Sequence, residues 1–298
     1  MAPQLTLRDC VALWLEGQRD RIRDPTWVDY AEKARHYVLP SVGHLPLQDV
    51  RTEHLTRLYQ RMQARGLSFR TVRYTHQIVH HALQHAVSLQ LIPANPARDA
   101  RPKTPSPQPP ASLKPEELRR FLLKARSSEH AGLWFLLAGT GMRPSEALGL
   151  NWDGVDLKRG RARIETSLRL LPAGRFRLFP LRHPNQRREV LLPKMVITVL
   201  REHRSRQRLQ QKAAGPAWEA LGFVFTTPLG RPMGLSQPIR ESLKLLLREA
   251  GLPIVSAYSL RHACVVALLG QGVDLQVVSR QTGYAKLGTF LDARRLLA

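Results

Sequence analysis

The sequence predicts a mainly α-helical protein with a small antiparallel β-sheet (α+β), divided into two domains. Three observations carry that expectation. Apolar residues recur three and four apart in segment after segment on both sides of the chain's centre, which is the spacing of a helix with one buried face. A central region, residues 161–193, instead alternates polar and apolar residues, as strands with one covered face do. Between the N-terminal helices and the rest lies "ANPARDARPKTPSPQPPAS", residues 94–112, rich in proline and almost without bulky apolar side chains, which reads as an extended, semi-rigid linker. At 298 residues and 43% hydrophobic, the chain is long and apolar enough for two cores. The expected division is a helical domain over 1–95, a linker over 96–112 and a second domain over 113–298.

In the first domain, "LTLRDCVALWLEGQ", "TWVDYAEKARHYVLPSVG", "TEHLTRLYQRMQARG" and "SFRTVRYTHQIVHHALQHAVSLQL" each predict a helix, with Pro or Gly between them. In the second, "LKPEELRRFLLKAR" and "LWFLLAGTG" predict helices. "RARIETSLRLL", "RFRLFPL" and "RREVLLP" follow as strands of one small sheet. "MVITVLREHRSRQRLQQK", "SQPIRESLKLLLREAG" and "LRHACVVALLGQG" then return to helical spacing, and no internal repeat is visible.

Charge narrows the partner. Lys and Arg number 46 against 23 Asp and Glu, a formal net charge of +23, which points to a polyanion and above all to nucleic acid. Arginine-rich codon bias accounts for part of the excess but not for the shortage of acids. No run approaches the roughly 18 apolar residues of a membrane span, and the start lacks the basic-then-apolar order of a signal peptide. The expected location is therefore the cytoplasm, at the nucleoid, with no membrane partner. Cys10 and Cys264 lie in different halves without a CxxC pairing, so they read as small core residues rather than a disulfide or zinc framework.

No cofactor is expected either. The GxG of "GTGMRPSEALGLNW" has Pro144 where a dinucleotide loop needs its third glycine, and no parallel strand precedes it. His76, His80, His81 and His85 form i, i+4 pairs, which zinc would use, but no HExxH carboxylate or second ligand cluster accompanies them, and a DNA-facing or core helix is the preferred reading. The arginines of "REHRSRQRLQQK" suit either a solvated face or contacts to a DNA backbone.

Two short stretches suggest chemistry. Arg143 follows two glycines and precedes Pro144, a residue favoured in a first helical turn, so its fork is presented at a helix start where backbone N–H groups already favour an anion. The structural alternative is an ordinary pair with Glu146, three residues on. In "YSLRHACVVALLGQG", Arg261 and His262 likewise introduce an apolar helix. Two arginines so placed in one domain would bracket one phosphate with bidentate bonds, with His262 as a third donor.

These blocks resemble the tyrosine recombinases, the family that includes phage integrases. "PTWVDYAEKARHYVLPSVGHLPLQDV" and "SFRTVRYTHQIVHHALQHAVSLQLIPANPA" are similar to its helical core-binding domain. "GTGMRPSEALGLNWDGVDL", "RREVLLP" and "YSLRHACVVALLGQGVDLQVVSRQTGY" are similar to its catalytic domain. The resemblance implies a two-domain architecture that clamps double-stranded DNA, a homo-oligomer on that DNA, and no small-molecule cofactor. It places Arg143 and Arg261 at the family's two phosphate-binding arginines, Glu146 at the acidic residue after the first, and His262 at the histidine beside the second.

Other positions depart from the family's pattern. Tyr258 stands where a histidine is usual, Arg182 where the hairpin lysine is, Tyr284 where a His or Trp is, and Arg294 where the nucleophilic tyrosine is. In the family a tyrosine oxygen attacks the phosphate while arginines stabilise the developing charge and lysine and histidine manage protons. Arginine has no lone pair to attack with and stays charged, so Arg294 is no nucleophile and Arg182 a poor proton donor. The expected function is therefore a site-specific DNA clamp with impaired or absent strand cleavage. The alternative is an active site-specific recombinase using a displaced tyrosine such as Tyr284, and a third reading is a packaging protein without sequence preference.

Overall fold

The computed structural model describes residues 4–102, 112–171, 174–181 and 186–284. The chain separates into two compact units, Met1–Gln108 and Pro109–Ala298.

The first unit is built from α1 (Leu7–Gly17), α2 (Asp24–Lys33), the short α3 (Leu39–Val42), α4 (Thr52–Ala64) and α5 (Phe69–Ser88). Helix α1 starts where Thr6 and Asp9 satisfy each other's backbone N–H groups, and α5 starts where the Ser68 hydroxyl accepts the N–H of Thr71. The stripe Leu7, Val11 and Trp14 of α1 meets Leu55, Leu58 and Met62 of α4 and Val72, Val79 and Leu83 of α5 in one core. The second predicted helix is interrupted. After α2 the chain takes one wide π turn, Ala34–Val38, in which the Leu39 N–H reaches Ala34 O. Pro40 supplies no N–H for a regular helical bond across this turn, which accounts for the break.

The stretch read as linker from residue 96 begins as part of the first core. Ala97 and Ala100 are buried there, the Asn95 amide bonds both His80 O and the Ala97 N–H, and Thr52 Oγ1 donates to Pro96 O. Proline richness signals an extended backbone but not whether small side chains between the prolines find a surface to cover.

The second unit contains α6 (Pro115–Ala125), α7 (Ala131–Thr140), α8 (Pro144–Leu148), α9 (Lys194–Ala214), α10 (Gln237–Glu249), α11 (Ala257–Gly270) and α12 (Leu275–Thr282). Its strands are β1 (Val155–Asp156), β2 (Arg161–Ile164), β3 (Thr166–Leu170), β4 (Phe176–Pro180) and β5 (Arg188–Leu191). Helix α7 is apolar all round and forms the centre, packed against α6, α9 and α11.

Among the described residues there are two sheets instead of one. β1, β2 and β5 form an antiparallel three-stranded sheet, and β3 pairs with β4 in a separate hairpin. "RARIETSLRLL" is thus two strands that change sheets at Glu165, with Ala162 opposite Val190 in one and Leu168 opposite Leu178 in the other. Alternation is continuous through such a corner, so the pattern records which face is covered and not which neighbour covers it.

Both cysteines are free and buried, and Cys10 donates to Ala82 O. Among the described residues no helix is long and apolar enough to cross a membrane. The arginines of α9 divide: Arg206 and Arg208 are exposed, Arg201 donates to Leu157 O, and Arg204 stacks over Trp152 at 4.8 Å.

Candidate functional site

Helix α7 ends at Gly141, whose left-handed backbone (φ +66°) turns the chain back beneath α12. A Cβ there would lie 2.7 Å from Thr282 Cγ2. Gly141→Ala therefore meets both conformational strain and a clash, with an expected loss of about 1–3 kcal/mol, read as a lower urea midpoint. The turn delivers Arg143 to the start of α8 in extended backbone, with Pro144 in the first helical turn.

Glu146 is the centre of the arrangement. It is 1% exposed and accepts the Arg143 N–H at 2.9 Å and Arg143 Nη1 at 2.6 Å. The ordinary i, i+3 pair considered from the sequence is therefore made. From β5, Arg188 adds Nη2 to Glu146 Oε2 at 2.8 Å, and its Nε and Nη1 also donate to Gln281 O and Gln186 O. Arg143 Nη2 reaches Gly283 O at 3.1 Å, so both guanidiniums tie α8 to the end of α12. Burial disfavours the Glu146 carboxylate, but the Arg188 bond and charge, followed by Arg143, outweigh it and hold the carboxyl below its ordinary range.

Arg261, in the second turn of α11, is fully buried. Its Nη1 donates to Gly141 O at 2.9 Å, while Nε and Nη2 have no hydrogen-bond partner. The Tyr284 ring covers one face of the guanidinium at 4.0 Å, and the Tyr258 ring lies at 6.0 Å. Burial first, then the Arg143 charge, lowers the Arg261 pKa from its usual value. Burial likewise raises the Tyr284 hydroxyl, against the opposing pull of Arg261.

The structure thus brings Arg143, Arg261, Tyr258 and Tyr284 into one neighbourhood. His262 follows Arg261 on α11, half-buried, and Tyr258 is half exposed. Arg182 and Arg294 lie outside the described residues. The residue that sequence reasoning missed is Arg188. A signal existed, because period two puts Arg188 on the same strand face as buried Val190, and an arginine on a covered face is commonly paired with a carboxylate.

Comparison with known proteins identifies the family of both units. The phage integrase family matches residues 112–291, and the phage integrase N-terminal SAM-like domain matches 6–63. A tyrosine recombinase XerC-like protein of Caldanaerobacter subterraneus subsp. tengcongensis is 26% identical over 95% of this chain and 77% of its own. An integrase of Streptomyces ambofaciens is 26% identical over 94% and 72%. Among solved structures, the Tn1549 transposon integrase in complex with a circular intermediate DNA superposes with a TM-score of 0.75 at 18% identity, over 97% of this chain and 94% of that one, which is a likeness of fold. With the family match spanning most of the second unit and a second match in the first, the chain belongs to the phage integrase family.

Proposed function

We propose that the chain grips duplex DNA at a specific site through a phosphate clamp of Arg143 and Arg261, with His262 as a third donor, and cleaves it poorly or not at all. One observation carries the clamp: Arg261 is buried with Nε and Nη2 unpartnered. A buried donor left unmatched costs about 1–3 kcal/mol, so such an edge is expected to await an acceptor. Because Tyr284 covers a face of the guanidinium, the donors that remain lie in its plane, where the two oxygens of a phosphodiester fit a bidentate fork. The net charge of +23 supplies the general attraction to a polyanion.

The cleavage half of the reading rests on Arg294, Arg182 and Tyr258, which the sequence resemblance places where the family carries its nucleophile and two proton-handling groups. Losing one general acid or base typically costs about 100- to 10,000-fold, and losing the nucleophile removes the covalent route. A protein of this kind, assembled as a homo-oligomer on DNA, would compete at recombination sites or set their directionality.

The second reading, an active recombinase with Tyr284 as displaced nucleophile, is favoured by the contact of that ring with Arg261 and opposed by burial, which disfavours the attacking phenolate. Incubation with nicked duplexes followed by denaturation separates the two. The expected result is DNA retention without a denaturant-resistant adduct. An adduct mapped to Tyr284 or Tyr258, and abolished by Tyr284→Phe or Tyr258→Phe respectively, would establish the second reading.

A further inference from the structure

The first unit carries a cavity that the clamp does not use. It is open, about 460 Å³, and lined by Phe69, Arg73, His76, Gln77, His80 and His81 of α5, with Arg101 and Pro102 crossing from the segment that follows. Arg73, Gln77 and His80 stand on successive turns of one helix face, which concentrates donors along one wall. Among the described residues no carboxylate lines the cavity, and no ion pair involves Arg73 or Arg101. At its floor His76 is 9% exposed, and its Nδ1 has no hydrogen-bond partner. The His76 and His80 rings lie 6.0 Å apart, and those of His80 and His81 5.7 Å apart. Unmatched cationic and imidazole donors around an open space suit a compact anion. They do not suit a metal cation, and no group of three ligating side chains is arranged for one among the described residues.

We propose that this cavity is a second phosphate-binding site, taking one phosphodiester of the nucleic acid between Arg73, Arg101 and the imidazole of His80, with His81 beside it, and that its occupancy is coupled to protonation of His80. The proposal rests on the reading of the chain as a DNA-binding protein and adds a site and a regulation to it. Burial first, then His81, Arg98 and Arg101, lowers the His80 pKa, and burial with His80, Arg101 and His81 pushes His76 down to about 4. Other groups near these rings are Tyr59 of α4, edge-on to His76, Trp14 of α1, stacked on His81, and Tyr30 and His85, which line a neighbouring cavity with His81. None of them contributes a negative charge at neutral pH, so nothing around the His80 ring offsets the lowering of its pKa by burial. A phosphate supplies the missing charge, raises the imidazole pKa and takes up a proton. Affinity then rises as pH falls from the raised value of the bound state toward the lowered value of the free one.

The test is duplex binding by the full chain, followed by fluorescence anisotropy at fixed ionic strength between pH 8 and pH 6. Wild type should tighten by up to about tenfold per pH unit for each proton taken up. The H80Q/H81Q double variant should lose that slope, and Arg101→Ala should weaken binding across the range. Equal slopes in wild type and H80Q/H81Q would overturn the proposal while leaving the DNA reading intact. No duplex binding at any pH would overturn both. A parallel NMR titration of the imidazole signals distinguishes the source of the phosphate. A His80 midpoint raised by duplex supports the nucleic-acid site, whereas one raised by inorganic phosphate and not by duplex overturns it.

Discussion

Replacing Arg143 and Arg261 together with alanine is expected to weaken duplex binding by about 100-fold or more at fixed salt. Each charge-assisted bond to a phosphate contributes about 1.5–3 kcal/mol, and the two arginines act on the same ligand. Loss of one neutralised phosphate should also flatten the dependence of log K on log salt by about 0.9. The weakening should be uniform across DNA sequences, since phosphate contacts carry no base information. Arg261 is fully buried, so circular dichroism and a thermal melt must accompany the titration, and Arg261→Lys, which keeps charge but not the planar fork, serves as the milder variant. Unchanged affinity in a folded double variant would sink the clamp.

Glu146→Ala is expected to cost about 3–5 kcal/mol of unfolding free energy, among the largest effects of any single substitution here. The side chain accepts from Arg143 and Arg188 at once, so its removal leaves two guanidiniums facing each other with no negative charge between them. Glu146→Gln keeps the shape and one acceptor and should fall between the two. The same carboxylate sets a pH dependence. Its folded pKa lies below the ordinary value, so the unfolded chain binds more protons in the window between them. The stabilisation is complete above the ordinary carboxylate range near about 4.3 and is lost as pH falls through it toward the lowered folded value. Urea midpoints measured from pH 6 to pH 3 should show this acid limb in wild type, and a shallower one in Glu146→Gln.

The helices and their buried faces were legible because periodicity is a local property. Trp14, Leu58 and Leu83 are buried as their spacing requires, and Thr6 and Ser68 cap the helices that follow them. Arg143 and Arg261 were legible as candidates because each reads from the sequence as introducing a helix in a strongly basic chain, although α11 begins a turn before Arg261, and the sequence blocks around them carry the family resemblance. Other features required the fold. The change of sheet at Glu165, the burial of Ala97 and Ala100 and the π turn before Pro40 all depend on which surface lies opposite. The site depends on it most. Arg188 meets Glu146 across 42 residues, Arg261 meets Gly141 across 120, and Arg143 meets Gly283 across 140. A sequence by itself determines which side chains carry charge and which face of each element turns inward. Only the tertiary structure decides which charges are matched and which buried donors are left without an acceptor, because that is settled by distances between residues far apart in the chain.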